Sequence, residues 1–528
     1  MKQTGFWLGA LAVAGFLWLT SPANRSEAED AYFHASRVES PESARFFHQH
    51  HLLYLPVGRA LYRGAQGLGY RGRGLEFLSL WSRLSAALCV ALLARLLRRE
   101  DREGWPWALA MLGSYGFWRY AVEAEIYLPM LAPALGALVA IRSPRRSAVL
   151  WAGLLLTAAA LLHLAAFAAV GAVAAYLWIR GRRRAGIALG VAVPAIVLGL
   201  TFWISLRAPV PVYRDAATVR PNLLQPAVLA KGAGVAGHAI LSGNFLWAWP
   251  TVATRIEQAF PHRLLGEELF MGRRAPAGTV AIAAVTLLSV LALAGLGGVG
   301  WIRRRRKTVS QEDPDPGDRR ALGGAGAVWL GLSVFAALRT EADNIEMWIP
   351  ALPAVWLLAG WMWNRAPASG RSAAGPWLLA IAILAHNWFG GMRLLQDARG
   401  DYLSQKAAAL MDVVKPGDWV LTADSYVFAT YLEYQTGATI LDAKFLDEET
   451  FDERQRTAPG ARVWIFEDVW DPPAAVWNRR PEDVARLRTF GAALRPRVRR
   501  IGDTPLGGLY ELAAEPIPEE RLPVGSLD

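Results

Sequence analysis

Glu27, Glu29 and Asp30 stand within four positions of "SEAED", and His48, His50 and His51 follow in "FFHQHH". Carboxylates serve as general bases or hold a divalent cation, and imidazoles move protons or meet phosphate oxygens. Glu27 and Asp30 lie three apart, so one helical turn would put both on one face. A second group is "FWRYAVEAEIYLPM", where Glu123 and Glu125 follow Arg119 and Tyr120. A third is His163 in "ALLHLAAF", and a fourth is the turn carrying Arg339, Glu341, Asp343 and Glu346. Each has a plain reading beside the chemical one: a solvated acidic loop, an arginine paired with a neighbouring glutamate, a polar turn residue. Only elements that bring the four groups to one place would turn them into a site.

Those elements are membrane spans. Of the 528 residues, 53% are apolar, and the mean hydropathy of +0.22 lies above that of an ordinary soluble domain. A crossing needs about 20 apolar residues. Runs near 5–21, 75–98, 104–118, 124–142, 148–162, 163–179, 185–207, 279–302, 321–338, 347–364 and 376–393 predict about eleven helices. The net charge of +11 calls for no nucleic-acid partner. Much of it sits in "RLLRREDRE", "RSPRR", "RGRRR", "RRRRK" and "NRAPASGR", and all five fall on one side of an eleven-span topology. Basic loops mark the cytoplasmic face. The first external loop, 22–74, the large one, 208–278, and all four chemical groups then fall on the opposite side.

The N-terminal run "MKQTGFWLGALAVAGFLWLT" reads as an uncleaved first helix, so the N-terminus is expected in the cytoplasm and the C-terminus outside. Cys89 is the one cysteine, which excludes an internal disulfide. The segment "LSGNFLWAWP" of the large loop suggests a re-entrant or interfacial piece. Two domains are expected, a membrane domain over 1–393 and a soluble one over 394–528. In the second, "LSQKAAALMDVV" has helical spacing, with Leu403, Ala407, Leu410 and Met411 on one face. "DWVLTAD", "ARVWIFED" and "GLYELA" read as strands and "SYVFATYLEYQTG" as a helix closed by Gly437. Alternating strands and helices predict a small α/β sheet. There is no G-x-S-x-G elbow, Walker sequence or H-E-x-x-H, and "HQHH" lacks the spacing of a zinc site.

In these features the chain resembles the GT-C membrane glycosyltransferases, in particular their bacterial protein-O-mannosyltransferase-like branch. The resemblance rests on one span followed by an acidic loop, on "HHLLYLPVGRALY", "AVEAEIYLPMLAPAL" and "MWIPALPAVWLLAG", and on "GDWVLTADSYVFATYLEYQTG" in the tail. It implies an α-helical polytopic fold with a C-terminal α/β extracytoplasmic domain, in the inner membrane of a bacterium. It implies an inverting transfer of a sugar from a polyprenyl-phosphate carrier in the bilayer to a glycan, lipid or protein acceptor. A first-loop carboxylate is then the base, on Asp30, Glu27 or Glu29. The family's adjacent Asp-Glu pair stands here as Glu29-Asp30 in reversed order, which leaves that choice open. The second acidic site falls on Glu123 or Glu125. A divalent cation, Mg or Mn, would sit on Glu27, Asp30 and Glu125, and His50, His51, Arg119, His163 and Arg339 would meet phosphate or substrate. A transporter or flippase shares the span count but would carry charge at mid-bilayer and an internal repeat. A scaffold with an external partner-binding domain would leave the clustered acids without a role.

Overall fold

The structure, a computed structural model, describes residues 3–23, 30–40, 46–48, 50–98, 104–207, 225–259, 272–305, 316–365, 374–424, 426–458, 460–471, 481–504 and 507–513. By its internal contacts the chain divides into two units. The first comprises Met1–Pro22, His34–Phe245 and Ala275–Gln396; the second comprises Ala23–Phe33, Leu246–Arg274 and Asp397–Asp528.

In chain order the helices up to the end of the first unit are α1 (Gln3–Leu19), α2 (Ala31–Glu39), α3 (Tyr54–Gly67), α4 (Gly74–Leu97), α5 (Trp105–Gly113), α6 (Tyr115–Val122), α7 (Tyr127–Ile141), α8 (Ala148–Leu162), α9 (Phe167–Ile179), α10 (Arg183–Ser205), α11 (Pro226–Ile240), α12 (Pro250–Ala259), α13 (Ala277–Arg305), α14 (Pro316–Thr340), α15 (Leu352–Arg365) and α16 (Ala374–Asn387). Of these, α12 belongs to the second unit. Long apolar runs become helices because hydrocarbon offers no partner for a bare peptide group, so each must be satisfied within its own segment.

Among the described residues six helices are long and apolar enough to cross a membrane, and the bent pair α6–α7 makes a seventh if taken as one span. The remaining sequence candidates are shorter. The 15 residues of α8 reach only about 22 Å at 1.5 Å per residue, against about 30 Å of hydrocarbon. Thr4–Leu19 and Leu164–Ile179 are short in the same way, and α5 has nine residues.

One end of the helical unit is locked by polar contacts. The Arg142 guanidinium, at the end of α7, donates to both carboxylate oxygens of Asp318 at 3.2 and 2.6 Å and to the Leu96 carbonyl at 3.0 Å. Tyr176 donates to the same Asp318 at 2.5 Å. Asn364 donates to the Leu97 carbonyl at 3.3 Å, and the Trp361 indole to the Arg319 carbonyl at 2.8 Å. The ends of α4, α7, α9 and α15 and the start of α14 therefore meet here, beside the arginines at 95, 98, 145, 146 and 180. The start of α7 and the end of α8 lie at the opposite end.

The second unit carries the helices α17 (Tyr402–Met411), α18 (Tyr426–Thr436), α19 (Glu448–Thr457) and α20 (Pro481–Leu494) and the strands β1 (Trp419–Thr422), β2 (Thr439–Asp442), β3 (Val463–Phe466), β4 (Val498–Thr504) and β5 (Gly507–Leu512). The strand order is β2-β1-β3-β5-β4, with β1 parallel to β2 and β3, and β5 antiparallel to β3 and β4. Leu403, Ala407 and Leu410 are buried on α17 as their spacing predicts, but Met411 is 37% exposed. It stands one residue past Leu410, about 100° round the helix and off the buried stripe. Gly437 ends α18 at φ +68°, the left-handed turn that a side chain would oppose. Lys406 is buried with Asp424 and Asp468: its ammonium is bonded to Asp424 and lies 2.5 Å from Asp468, and Tyr402 donates to Asp424 at 2.8 Å.

Candidate active site at the histidine end of the helical unit

The site grows from a break in the chain. α6 and α7 meet at 113°, and residues 123–126 form the elbow. Pro129 explains the break. It has no N–H to give to the carbonyl four residues back, so it stands in the first turn of a new helix, where none is required. The elbow's carbonyls take donors from elsewhere. Ser82 donates to the Glu125 carbonyl at 3.0 Å and Arg83 to that of Val122 at 3.4 Å. The Ala124 carbonyl meets His34 Nδ1 at 3.3 Å and the Tyr54 hydroxyl at 3.5 Å. Side chains of α2, α3 and α4 thus fix an elbow that carries two glutamates.

Glu123 and Glu125 are 1% and 2% exposed. Arg119, one turn back on α6, pairs with Glu123 at 3.2 Å with both side chains buried. Tyr127, the first residue of α7, donates its hydroxyl to Glu346 at 3.2 Å across 219 positions of sequence. Glu346 is itself buried, in the short 3-10 segment Ile345–Ala351. Carboxylates from two distant segments therefore stand at the same end of the bundle.

The histidines lie against them. The His163 ring is 5.3 Å from Tyr127 and stacks on His51 at 6.5 Å. His51 stacks on His48 at 4.1 Å and meets His34 edge-on at 5.6 Å, while His34 packs on Tyr54 at 5.0 Å. Backbone bonds hold the two strings together: Leu53 N–H donates to the Leu161 carbonyl and Leu164 N–H to that of His50, at 2.8 and 2.9 Å. Two tautomers follow. Ala165 N–H donates to His163 Nδ1 at 3.1 Å, and His50 N–H to His48 Nδ1 at 3.2 Å. An Nδ1 that accepts carries no proton, so in both neutral rings Nε2–H is the donor.

Burial, and then repulsion from the neighbouring imidazoles, pushes His48 down to about 4 and holds His51 well below the ordinary range; burial also lowers His50. At pH 7 these three rings are neutral and offer N–H donors rather than cations.

Of the residues expected from sequence, Glu123, Glu125, Arg119, His51 and His163 lie in this arrangement, with the exposed His50 on its rim. Arg339 is half-buried in the last turn of α14. Asp30 directly precedes α2 and belongs to the second unit. Glu27 and Glu29 lie outside the described residues. Sequence reasoning did not assign His34, Tyr54, Ser82 or Arg83 to the site. The signal for His34 was present in Ala31, His34, Ala35 and Val38, a helical stripe with a titratable member. Among the described residues no three His, Cys, Asp or Glu side chains are arranged to hold a metal ion.

The fold has a solved counterpart. The crystal structure of ArnT from Cupriavidus metallidurans bound to undecaprenyl phosphate matches at a TM-score of 0.53 and 13% identity, over 97% of this chain and 98% of that one. The apo state of the same protein matches over the same shares with a TM-score of 0.46. No protein-family model and no curated protein sequence matches the chain. At that identity the likeness is one of fold, over almost the whole of both chains.

Proposed function

We propose that this chain is a membrane glycosyltransferase that takes a sugar from a polyprenyl-phosphate carrier and passes it to an acceptor hydroxyl at the histidine end. The observation that carries the reading is the gathering of Glu123, Glu125 and Glu346, with Arg119, Tyr127 and the imidazoles, at one end of a fold shared with a protein crystallised on undecaprenyl phosphate. Inverting transfer needs three things: a carboxylate to take the acceptor proton, room for an oxocarbenium-like centre, and donors for the leaving phosphate. His48 and His163 present Nε2–H groups suited to phosphate oxygens, and Arg339 adds a charge in the same role. Asp30, with Glu27 and Glu29 beside it, is the proposed base, on the strength of the family resemblance. Glu125 is the second acid.

The arginine-rich end faces the cytoplasm in this proposal, so that transfer lies outside, in the periplasm of a bacterium; the C-terminal domain is proposed there too, on the strength of the family resemblance. The acceptor is a glycan, lipid or protein hydroxyl, the last being the choice of the O-mannosyltransferase-like branch. The proposal also carries a divalent cation, Mg or Mn, on Glu27, Asp30 and Glu125. Chelation with EDTA tests it: unchanged turnover removes the cation from the account.

The main test follows consumption of a radiolabelled polyprenyl-phosphate sugar by purified protein, with Asp30→Asn and Glu27→Gln beside the wild type. Loss of a general base costs on the order of 100-fold or more. Wild-type turnover in both variants would remove the first loop from the chemistry.

A further inference from the structure

α3 and the loop from it to α4 line a cleft of about 390 Å3 whose walls include Glu39, Tyr62, Arg63, Gln66, Arg71 and Arg73. None of them takes part in the site above. Four arginines, Arg59, Arg63, Arg71 and Arg73, crowd this corner against two carboxylates, Glu39 and Glu76. Two of the four are engaged. Arg59 donates to the Ser40 carbonyl at 2.7 Å, and Arg73 lies 3.8 Å from Glu39, which is already held by Gly74 N–H at 2.6 Å. Arg63 and Arg71 are exposed and make no ion pair among the described residues. Among the described residues the cleft's lining therefore carries more positive than negative charge.

Depth tells what it meets. The 24 residues of α4 make a rod about 36 Å long, ending at the locked, arginine-rich end. The hydrocarbon is about 30 Å thick, and the headgroup layers extend it to about 40–45 Å. Arg73, which directly precedes the first residue of α4, thus stands in the opposite headgroup layer, with the cleft around it. Leu61 on α3 and Leu68, the residue that caps its end, are 46% and 92% exposed. Exposed leucines beside arginines on a short helix are the mark of a segment lying in the interface. The charge also has a cost. Arginines close to a span at this end work against the orientation set by those at the other, so a compensating ligand is called for.

We propose that this cleft binds the phosphate of an anionic phospholipid of the bilayer, with Arg63 and Arg71 as its two free cationic arms. Arginine suits the role because its planar fork meets phosphate oxygens in pairs. The lipid so held anchors at a fixed depth the far end of α3, the helix that begins at the elbow-binding Tyr54. The proposal stands apart from glycosyl transfer and is tested without it.

The test is native mass spectrometry of the full chain released from micelles containing equal amounts of dimyristoyl phosphatidylglycerol and phosphatidylcholine, with inorganic phosphate as a separate arm. The wild type is expected to retain phosphatidylglycerol over phosphatidylcholine by about tenfold or more, given two arginines at a headgroup. Arg63→Gln/Arg71→Gln should lose that preference, and Arg63→Lys/Arg71→Lys should keep part of it. Equal retention of the two lipids by the wild type overturns the proposal without reference to any variant. So does an unchanged preference in the glutamine variant, or a phosphate adduct that forms where phosphatidylglycerol does not.

Discussion

Replacing Arg119 by leucine tests how the elbow is built. Arg119 and Glu123 are 6% and 1% exposed at the side chain and 3.2 Å apart. Removing one member of such a pair strands a buried charge, at about 3–5 kcal/mol. At about 2 °C per kcal/mol, the lower end of the range for large domains, Arg119→Leu should melt roughly 6–10 °C below the wild type. The chain supplies its own reporter. Cys89 is its one cysteine and is wholly buried on α4, so a thiol-reactive fluorophore reports unfolding directly. Arg119→Leu/Glu123→Leu should regain most of the loss, because an apolar pair of similar volume carries no desolvation cost. A single variant melting within a degree or two of the wild type, or a double variant no better than the single, would refute the reasoning. The double variant also separates two roles for Arg119. Transfer that survives in it makes the arginine an architectural partner of Glu123, and transfer lost from a well-folded double variant places the Arg119–Glu123 pair in the chemistry.

The depressed histidines give a pH dependence. His48 and His51 titrate below their ordinary 6.5 in the fold, so below pH 6.5 the unfolded chain binds more protons. Their stabilising contribution is full above pH 6.5 and falls away as the pH drops towards about 4. Melting at pH 5 should therefore lie below that at pH 7.5, and His48→Gln/His51→Gln should flatten the difference; an equal slope in that variant contradicts the assignment. Tyr127→Phe removes the hydroxyl that serves Glu346 and should cost about 1–3 kcal/mol, read as a lower melting point in the same thiol assay; no change would detach the pair from the fold. In the sheet, Lys406→Met leaves Asp424 and Asp468 buried without their shared cation. It should cost about 3–5 kcal/mol and open residues 397–513 to limited proteolysis, while Lys406→Met/Asp424→Asn/Asp468→Asn should restore much of the protection. A single variant as resistant as the wild type would count against a stabilising ion cluster.

Helix bounds were legible where hydropathy alone decides them. The run 75–98 appears as Gly74–Leu97, 148–162 as Ala148–Leu162 and 185–207 as Arg183–Ser205, because an apolar run between arginines leaves a chain little choice but a helix. The strands read as "DWVLTAD", "ARVWIFED" and "GLYELA" are the inner β1, β3 and β5, which are mostly apolar. The outer β2 and β4 escaped notice: β4 reads "VRRIGDT", and an edge strand facing water carries no buried pattern to find. The carboxylates and histidines of the site were legible as residue types. The tertiary bonds that position them were not. Nothing in sequence ties Tyr127 to Glu346, or Ser82 to a carbonyl on another helix, since those contacts depend on how helices far apart in the chain come to pack. Charge state was equally hidden, because the neutral histidines owe it to burial and to one another.

The account turns on where the carrier's phosphate docks, and one experiment reads that position. A short-chain polyprenyl phosphate bearing a diazirine next to its phosphate is bound to the purified chain, activated by light, and its adducts are mapped by mass spectrometry. Labelling is expected in peptides containing His48–Tyr54, Arg119–Tyr127, His163 or Glu346, and competition with undecaprenyl phosphate should suppress it. Competable labelling at the other end of the helices, around Arg142, Tyr176 and Asp318, would contradict the account.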